Sequence, residues 1–150
     1  MAKVISINRS DTKGVIKTPQ KEGIFIEDFG LKDDAHAGKW HRQVSLLAKE
    51  SIDIMRKDIP NLSNGDFAEN ITTEGITLHT LPVGTRLKIG DTIQEVTQIG
   101  KVCHKGCAIK QKVGQCIMPT QGIFTKVIQG GLIKVGDSIT VMEEDDVYTS

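Results

Sequence analysis

The sequence predicts a single mainly β domain, a barrel or sandwich with one or two short helices. Three observations predict it. Short β-branched and apolar runs recur along the chain with glycine-bearing turns between them, the pattern of a barrel or sandwich. The chain has 150 residues, about one domain, and is long enough to bury a core without disulfide or metal staples. One six-residue stretch, Lys88-Ile89-Gly90-Asp91-Thr92-Ile93, returns as Lys134-Val135-Gly136-Asp137-Ser138-Ile139. Gly-Asp is a turn pair, here followed by residues that favour strands. The echo is either a good turn used twice or two equivalent corners of one closed barrel. Both readings make Asp91 and Asp137 structural.

Val4, Ile5 and Ile7 open the first strand, and Gly14 to Lys21, with Pro19, reads as a loop. Ile24-Phe25-Ile26 is a second strand, followed by a long irregular stretch from Phe29 to Lys39. Val44-Ser45-Leu46-Leu47 is a compact apolar strand. Ala48 to Lys57 is the one good helix, because Ile52, Met55 and Ile59 fall at i, i+3 and i+7 and Pro60 ends the run. Ile71, Ile76 and Leu78 come next. Leu87 to Ile89, Ile93 to Val96, Ile123 to Ile128 and Ile139 to Met142 continue the strand series. No linker divides the chain, so residues 1–150 form one domain, with 143–150 expected as a frayed acidic tail.

Charge narrows the function. The 19 basic and 19 acidic residues cancel, which gives no general electrostatic reason to hold nucleic acid or an anionic membrane. The balance hides an asymmetry. Lys101, Lys105, Lys110 and Lys112 occur with no acid among them, while Glu143, Glu144, Asp145 and Asp146 crowd the end. A local basic patch on a neutral protein suits a small anionic ligand. The first residues lack a signal-peptide pattern, and no run approaches the ~18 apolar residues of a membrane span. Three cysteines, two of them four apart, do not make a disulfide framework. A reducing cytoplasm is the expected setting.

The run Cys103-His104-Lys105-Gly106-Cys107 is the strongest candidate for chemistry. Thiolates attack electrophiles and bind soft metals, and nearby cations lower a thiol pKa below its free value of about 8.5. Cys103, His104, Cys107 and distant Cys116 also offer a Cys3His zinc set, although Cys116 stands alone where structural zinc sites pair their ligands. Cys116, beside Ile117 and Met118, reads better as a small core residue. The stretch from Asp33 to Gln43 gathers Asp34, His36, His41, Arg42 and the only tryptophan, Trp40. It is either a binding loop or a solvated one, and its spacing matches no standard metal motif. Glu69 and Asn70 offer an acceptor and an amide fork, suited to a heterocycle edge or to a turn.

Several pieces in order resemble the MOSC domain, the C-terminal region of molybdenum cofactor sulfurases. They are Gly30 to His36, Arg42-Gln43-Val44-Ser45-Leu46, Gly65-Asp66-Phe67-Ala68-Glu69-Asn70-Ile71 and Leu81-Pro82-Val83-Gly84 with Leu87-Lys88-Ile89-Gly90. Glu95-Val96-Thr97 leading to Cys103, Gly122-Ile123-Phe124 and Gly136-Asp137 complete the set. The match runs from about Val4 to Val141 and is most similar to the short, stand-alone branch of the family.

The resemblance implies a closed or partly open β-barrel of the MOSC type, resembling the pyruvate-kinase β-barrel domain. It also implies one working thiol, Cys103, which carries sulfur as a persulfide or ligates the molybdenum of a pterin cofactor. Cys107 is then a possible second thiol. Arg42, Glu69 and Asn70 are candidates to line the cofactor pocket, and Lys101, His104 and Lys105 to tune the thiol or contact the anionic tail. The implied partners are molybdopterin or its nucleotide form, with a cysteine desulfurase or a redox partner protein. Many members carry Arg-x-Pro before the cysteine, whereas this chain has Gly100-Lys101-Val102. Lys101 supplies a charge there but no bidentate fork. Three functions follow as expectations. One is handling or delivery of the molybdenum cofactor or its sulfur. Another is cofactor-dependent reduction of N-hydroxylated compounds with an external electron donor. The last is a structural or zinc-binding interaction module.

Overall fold

The computed structural model describes residues 2–10, 16–35, 37–57, 60, 62, 64–65, 67, 69–100 and 122–142. Eleven strands, one α-helix and one short 3-10 turn are found among them. They are β1 (Lys3–Arg9), β2 (Thr18–Gln20), β3 (Glu22–Ile26), β4 (Gly30–Leu31), β5 (Val44–Ala48), α1 (Lys49–Arg56) and β6 (Ile71–Glu74). The 3-10 turn (Leu78–Thr80), β7 (Arg86–Ile89), β8 (Thr92–Ile99), β9 (Ile123–Gln129), β10 (Gly131–Lys134) and β11 (Ile139–Met142) follow. No helix among the described residues is long and apolar enough to cross a membrane.

Eight strands form one sheet in the order β11-β7-β8-β9-β5-β6-β1-β2, and β10-β3-β4 form a second. Phe25, Leu31 and Ile133 of the small sheet share one core with Ile7, Leu46, Leu87 and Val96 of the large one. Each fully buried side chain of this kind stabilises by about 1.5–3 kcal/mol. The sheets do not close. One bridge, Lys3 to Ser138, and backbone bonds from Val4 N to Asp137 O and from Ile139 N to Ala2 O draw β1 toward β11. Of the two forms expected, the barrel is the partly open one.

Two short strands lie where the sequence reads as loop or irregular, and a third in a stretch to which it assigns no element. Thr18–Gln20 is an edge strand, the one place in a sheet where Pro19 fits, because its missing N–H faces outward. Gly30–Leu31 and Gly131–Lys134 are supplied by pairing with β3 rather than by propensity. Leu78 lies in the 3-10 turn instead of a strand.

β5 is buried along its whole length. It pairs antiparallel with β9 and parallel with β6, so a crossover is required between β5 and β6. α1 provides it, burying Ile52 and Met55. Its N-cap is Ala48, which makes no side-chain cap bond. Packing, an acidic first turn at Glu50 and the Lys49–Asp53 and Asp53–Arg56 pairs (2.8 and 2.6 Å) hold it instead.

The two Gly-Asp echoes meet. Gly90-Asp91 turns β7 into β8, and Gly136-Asp137 carries the chain from the small sheet into β11. β11 pairs with β7, and Gly90 N donates to Ser138 O at 3.3 Å. A Cβ on Gly90, at φ +54°, would come within 2.5 Å of Asp137 Oδ2. Asp137 Oδ2 itself accepts from Lys134 N at 2.8 Å. The two corners are neighbours in an unclosed barrel.

Candidate functional site

The loop entering β5 and the outgoing end of the β8–β9 pair come together. Gly38 N donates to Phe29 O and Ala35 N to Ser10 O, which fixes the early part of the loop. At its end Gln43 is buried, accepting from Val127 N at 2.9 Å and donating to Asp28 Oδ1 at 3.0 Å. Between these anchors Trp40, His41 and Arg42 reach across to β8 and β9. The Thr97 hydroxyl donates to the His41 carbonyl and, at 3.2 Å, to Phe124 O. A register shift between Val96 and Gln98 places these polar side chains at the strand end, where bulges commonly re-aim side chains.

Arg42 is half-buried. Its guanidinium carbon lies 4.7 Å from the Trp40 ring centroid and 5.7 Å from that of Phe124, within cation–π range of both. Its Nε is buried and finds no acceptor among the described residues. A buried donor without a partner costs on the order of 1–3 kcal/mol, so an acceptor arriving there is favoured. His41 is exposed, edge-on to Trp40 at 6.0 Å, and its Nε2 lies 2.8 Å from Gln98 Oε1. Gln98 Nε2 donates to Gly100 O at 2.7 Å, and Gly100 N donates to Gly122 O at 2.7 Å. Gly100 and Gly122 are therefore held side by side, next to this loop.

Glu69 and Asn70 lie inside the wall and not on its surface. Asn70 Oδ1 accepts from Ser45 N and Ser45 Oγ (3.0 and 3.2 Å), and its Nδ2 donates to Asn8 O at 3.3 Å. Asn8 Nδ2 donates to Glu69 O and Thr72 Oγ1, and Ser6 Oγ donates to Asn8 Oδ1. Glu69 Oε2 accepts from Gly65 N at 3.1 Å and the Thr72 hydroxyl at 2.8 Å, while Oε1 has no partner. Complete burial pushes the Glu69 carboxyl above its ordinary value, and the Thr72 and Gly65 bonds offset only part of that. These groups lock β1, β5 and β6 to one another.

A buried ion pair extends the lock. Lys17 Nζ lies 2.8 Å from Asp34 Oδ1, with both side chains fully enclosed, and Ser10 N donates to the same oxygen at 3.1 Å. Burial raises the Asp34 carboxyl, but the Lys17 charge and hydrogen bond, with Ser10, outweigh it and leave it below its ordinary value. Lys17 also donates its N–H to Gly65 O. Gly65 sits at φ +91°, and a Cβ there would fall 2.2 Å from Lys17 O.

Cys103, Cys107, Cys116, Lys101, His104, Lys105 and His36 lie outside the described residues. Of the predicted site residues that are described, Arg42 stands at the rim and Glu69 and Asn70 behind it. No group of three His, Cys, Asp or Glu side chains among the described residues is placed to hold a metal ion. Lys17 and Gln98 have no part in the sequence prediction, and Thr97 enters it only in the motif that leads to Cys103. Thr97 and Gln98 carry a faint signal, two polar residues in succession where the strand alternation should place one inward. Lys17 carries none.

Comparison with known proteins agrees with this architecture. The family model of the MOSC domain matches residues 33–140. A protein of Bacillus subtilis strain 168, the uncharacterized YflK, is 23% identical over 144 residues, covering 89% of this chain and 65% of its own length. The chain thus spans about two thirds of that relative. Among solved structures, YiiM of Geobacillus stearothermophilus superposes with a TM-score of 0.74 at 20% identity, over 95% of this chain and 76% of that one. YuaD of Bacillus subtilis gives 0.70 at 17% identity, over 93% and 94%. At these identities the solved structures establish the fold.

Proposed function

The chain belongs to the MOSC domain family, a family linked to molybdenum cofactor binding, and from that premise we propose that it binds the molybdenum cofactor and handles it, or its sulfur, through Cys103. The observation that carries the reading is Arg42. Its guanidinium is held between Trp40 and Phe124 with a buried N–H unpartnered, a donor suited to the phosphate-bearing tail of a pterin cofactor. Cys103 follows Gly100 by three residues in the sequence, just beyond the end of β8. When bound, the cofactor supplies a metal centre that accepts thiolate sulfur. Arg42 binds and orients the anionic tail. Trp40 and Phe124 keep that contact partly dry and so strengthen it. Glu69 and Asn70 act from behind, fixing the strands on either side of the loop.

Protein purified from cells able to make the cofactor tests this directly. Molybdenum and a fluorescent pterin should co-purify in equal amounts, with both lost in Cys103→Ala and reduced at least tenfold in Arg42→Gln. Zinc alone, retained after the cysteine substitution, would overturn the reading. If Cys103→Ser still accepts labelled sulfur from a cysteine desulfurase, the persulfide role is wrong. The exposed His41 imidazole, which bonds the protein through one nitrogen, favours a second reading in which an N-hydroxylated compound is reduced with external electrons, because such a reaction consumes protons. Turnover of such a compound by loaded protein with a redox partner would select it.

A further inference from the structure

We infer that Gln98 fixes His41 as a hydrogen-bond acceptor at Nδ1, so that Arg42 and His41 together select an oxyanion that carries a hydrogen. The inference rests on reading Arg42 as an anion contact and adds the class of anion. A carbonyl can only accept, so the Gln98 group 2.7 Å from Gly100 O is the amide NH2, and the Gln98 oxygen faces the imidazole. That oxygen can also only accept, so His41 Nε2, 2.8 Å away, carries the hydrogen. A neutral imidazole has one N–H. Nδ1 is then a bare lone pair, and no described residue occupies it.

His41 has two further contacts, one through its backbone and one through its ring. Its own carbonyl receives the Thr97 hydroxyl, and its edge meets the Trp40 indole. Arg42 packs on the same indole, so the guanidinium and the imidazole are both neighbours of Trp40. A ligand satisfying both offers oxygen acceptors to the guanidinium and an O–H to Nδ1. Hydrogenphosphate and phosphomonoester monoanions do so. Sulfate carries no hydrogen, and its oxygens would face the Nδ1 lone pair.

Trp40 is the only tryptophan, so its fluorescence reports on this spot. Titration at pH 8 with inorganic phosphate and with sulfate, at matched ionic strength, should show phosphate binding about tenfold more tightly, the worth of one hydrogen bond to a charged ligand. His41→Phe should bring the two affinities within about twofold of each other by weakening phosphate, leaving sulfate unchanged. Gln98→Leu should do the same from a distance, because it frees the ring without touching the anion. Imidazole 15N spectra of wild type should show the hydrogen on Nε2 and a bare Nδ1. Equal affinities in wild type, a preference that survives His41→Phe, a hydrogen on Nδ1, or no binding of either anion would each overturn the inference. Molybdenum retention is a separate measurement, so a protein that holds the cofactor without preferring phosphate refutes this inference alone.

Discussion

Arg42 and Asn70 flank the same strand, β5, and stand in opposite states of hydrogen bonding. Asn70 precedes β6 and has its amide oxygen and nitrogen committed to Ser45 and Asn8 in a fully enclosed network. Arg42 precedes β5 and keeps a buried donor unpartnered between two aromatic rings. In sequence the two look alike, each a polar residue beside an apolar run. The difference teaches that polarity alone does not mark a site. A satisfied buried group is architecture, whereas an unsatisfied one at a rim is an opening for a ligand.

The contrast breaks most visibly at Lys17. Lys17→Met leaves Asp34 charged and enclosed without the lysine charge, and should cost about 3–5 kcal/mol in urea unfolding. A second change, Asp34→Leu, should recover most of the loss, since an apolar pair of similar volume needs no compensation. The same region should respond to pH on two separate limbs. Asp34 lies below its ordinary 3.8 in the folded state, so the stability it gives is present above that value and lost as pH falls through its folded value. Glu69 lies above its ordinary 4.5, so its contribution is present below 4.5 and lost as pH rises through its folded value. Glu69→Gln should remove the second limb and leave the first. A second limb that persists in Glu69→Gln would assign it to another group.

Asn70→Leu is the next effect in size. It leaves Ser45 N–H and Asn8 C=O buried without their partner and should cost about 2–4 kcal/mol, measured as the urea midpoint. Oxyanion affinity of the protein that remains folded should stay within about twofold of wild type. A collapse of anion binding at full folding would place Asn70 in the site rather than behind it.

The sequence carried the strand series, the helix and both Gly-Asp corners, because apolar periodicity and turn chemistry are local. It missed β2, β4 and β10, whose residues become strands only through partners distant in the chain. The family resemblance located the Arg42 loop and the Glu69-Asn70 pair. It could not separate rim from wall, because burial is a property of the packed sheets and not of a motif. Lys17 was invisible for a stronger reason. A lysine followed by Thr-Pro-Gln reads as exposed loop, and it is partners brought by the fold, among them Asp34, Ser10 and Gly65, that make its burial tolerable.

Arg42→Gln should reverse the pattern of Asn70→Leu. Stability should move by no more than about 1 kcal/mol, the size of a partly exposed cation–π contact, while phosphate affinity falls at least tenfold. A large loss of stability would make Arg42 part of the wall, and the contrast between the two flanks of β5 would disappear.

The smallest effect tests the seam between the two regions. Thr97 holds no ligand in either reading, yet its hydroxyl donates to the carbonyls of both His41 and Phe124, tying the loop to the β9 edge. Thr97→Val keeps the shape and removes the donor. The His41 carbonyl lies near solvent and can bond water instead, so the stability loss should be about 1 kcal/mol or less. The loop loses one of its anchors over β8, while Gln98 still holds the ring. Phosphate affinity should therefore drop only a few-fold, with the preference over sulfate reduced but present. A variant that binds like wild type would show that Gln43 and Gln98 suffice to place the rim. One that loses the preference entirely would make Thr97, rather than Gln98, the residue that sets His41.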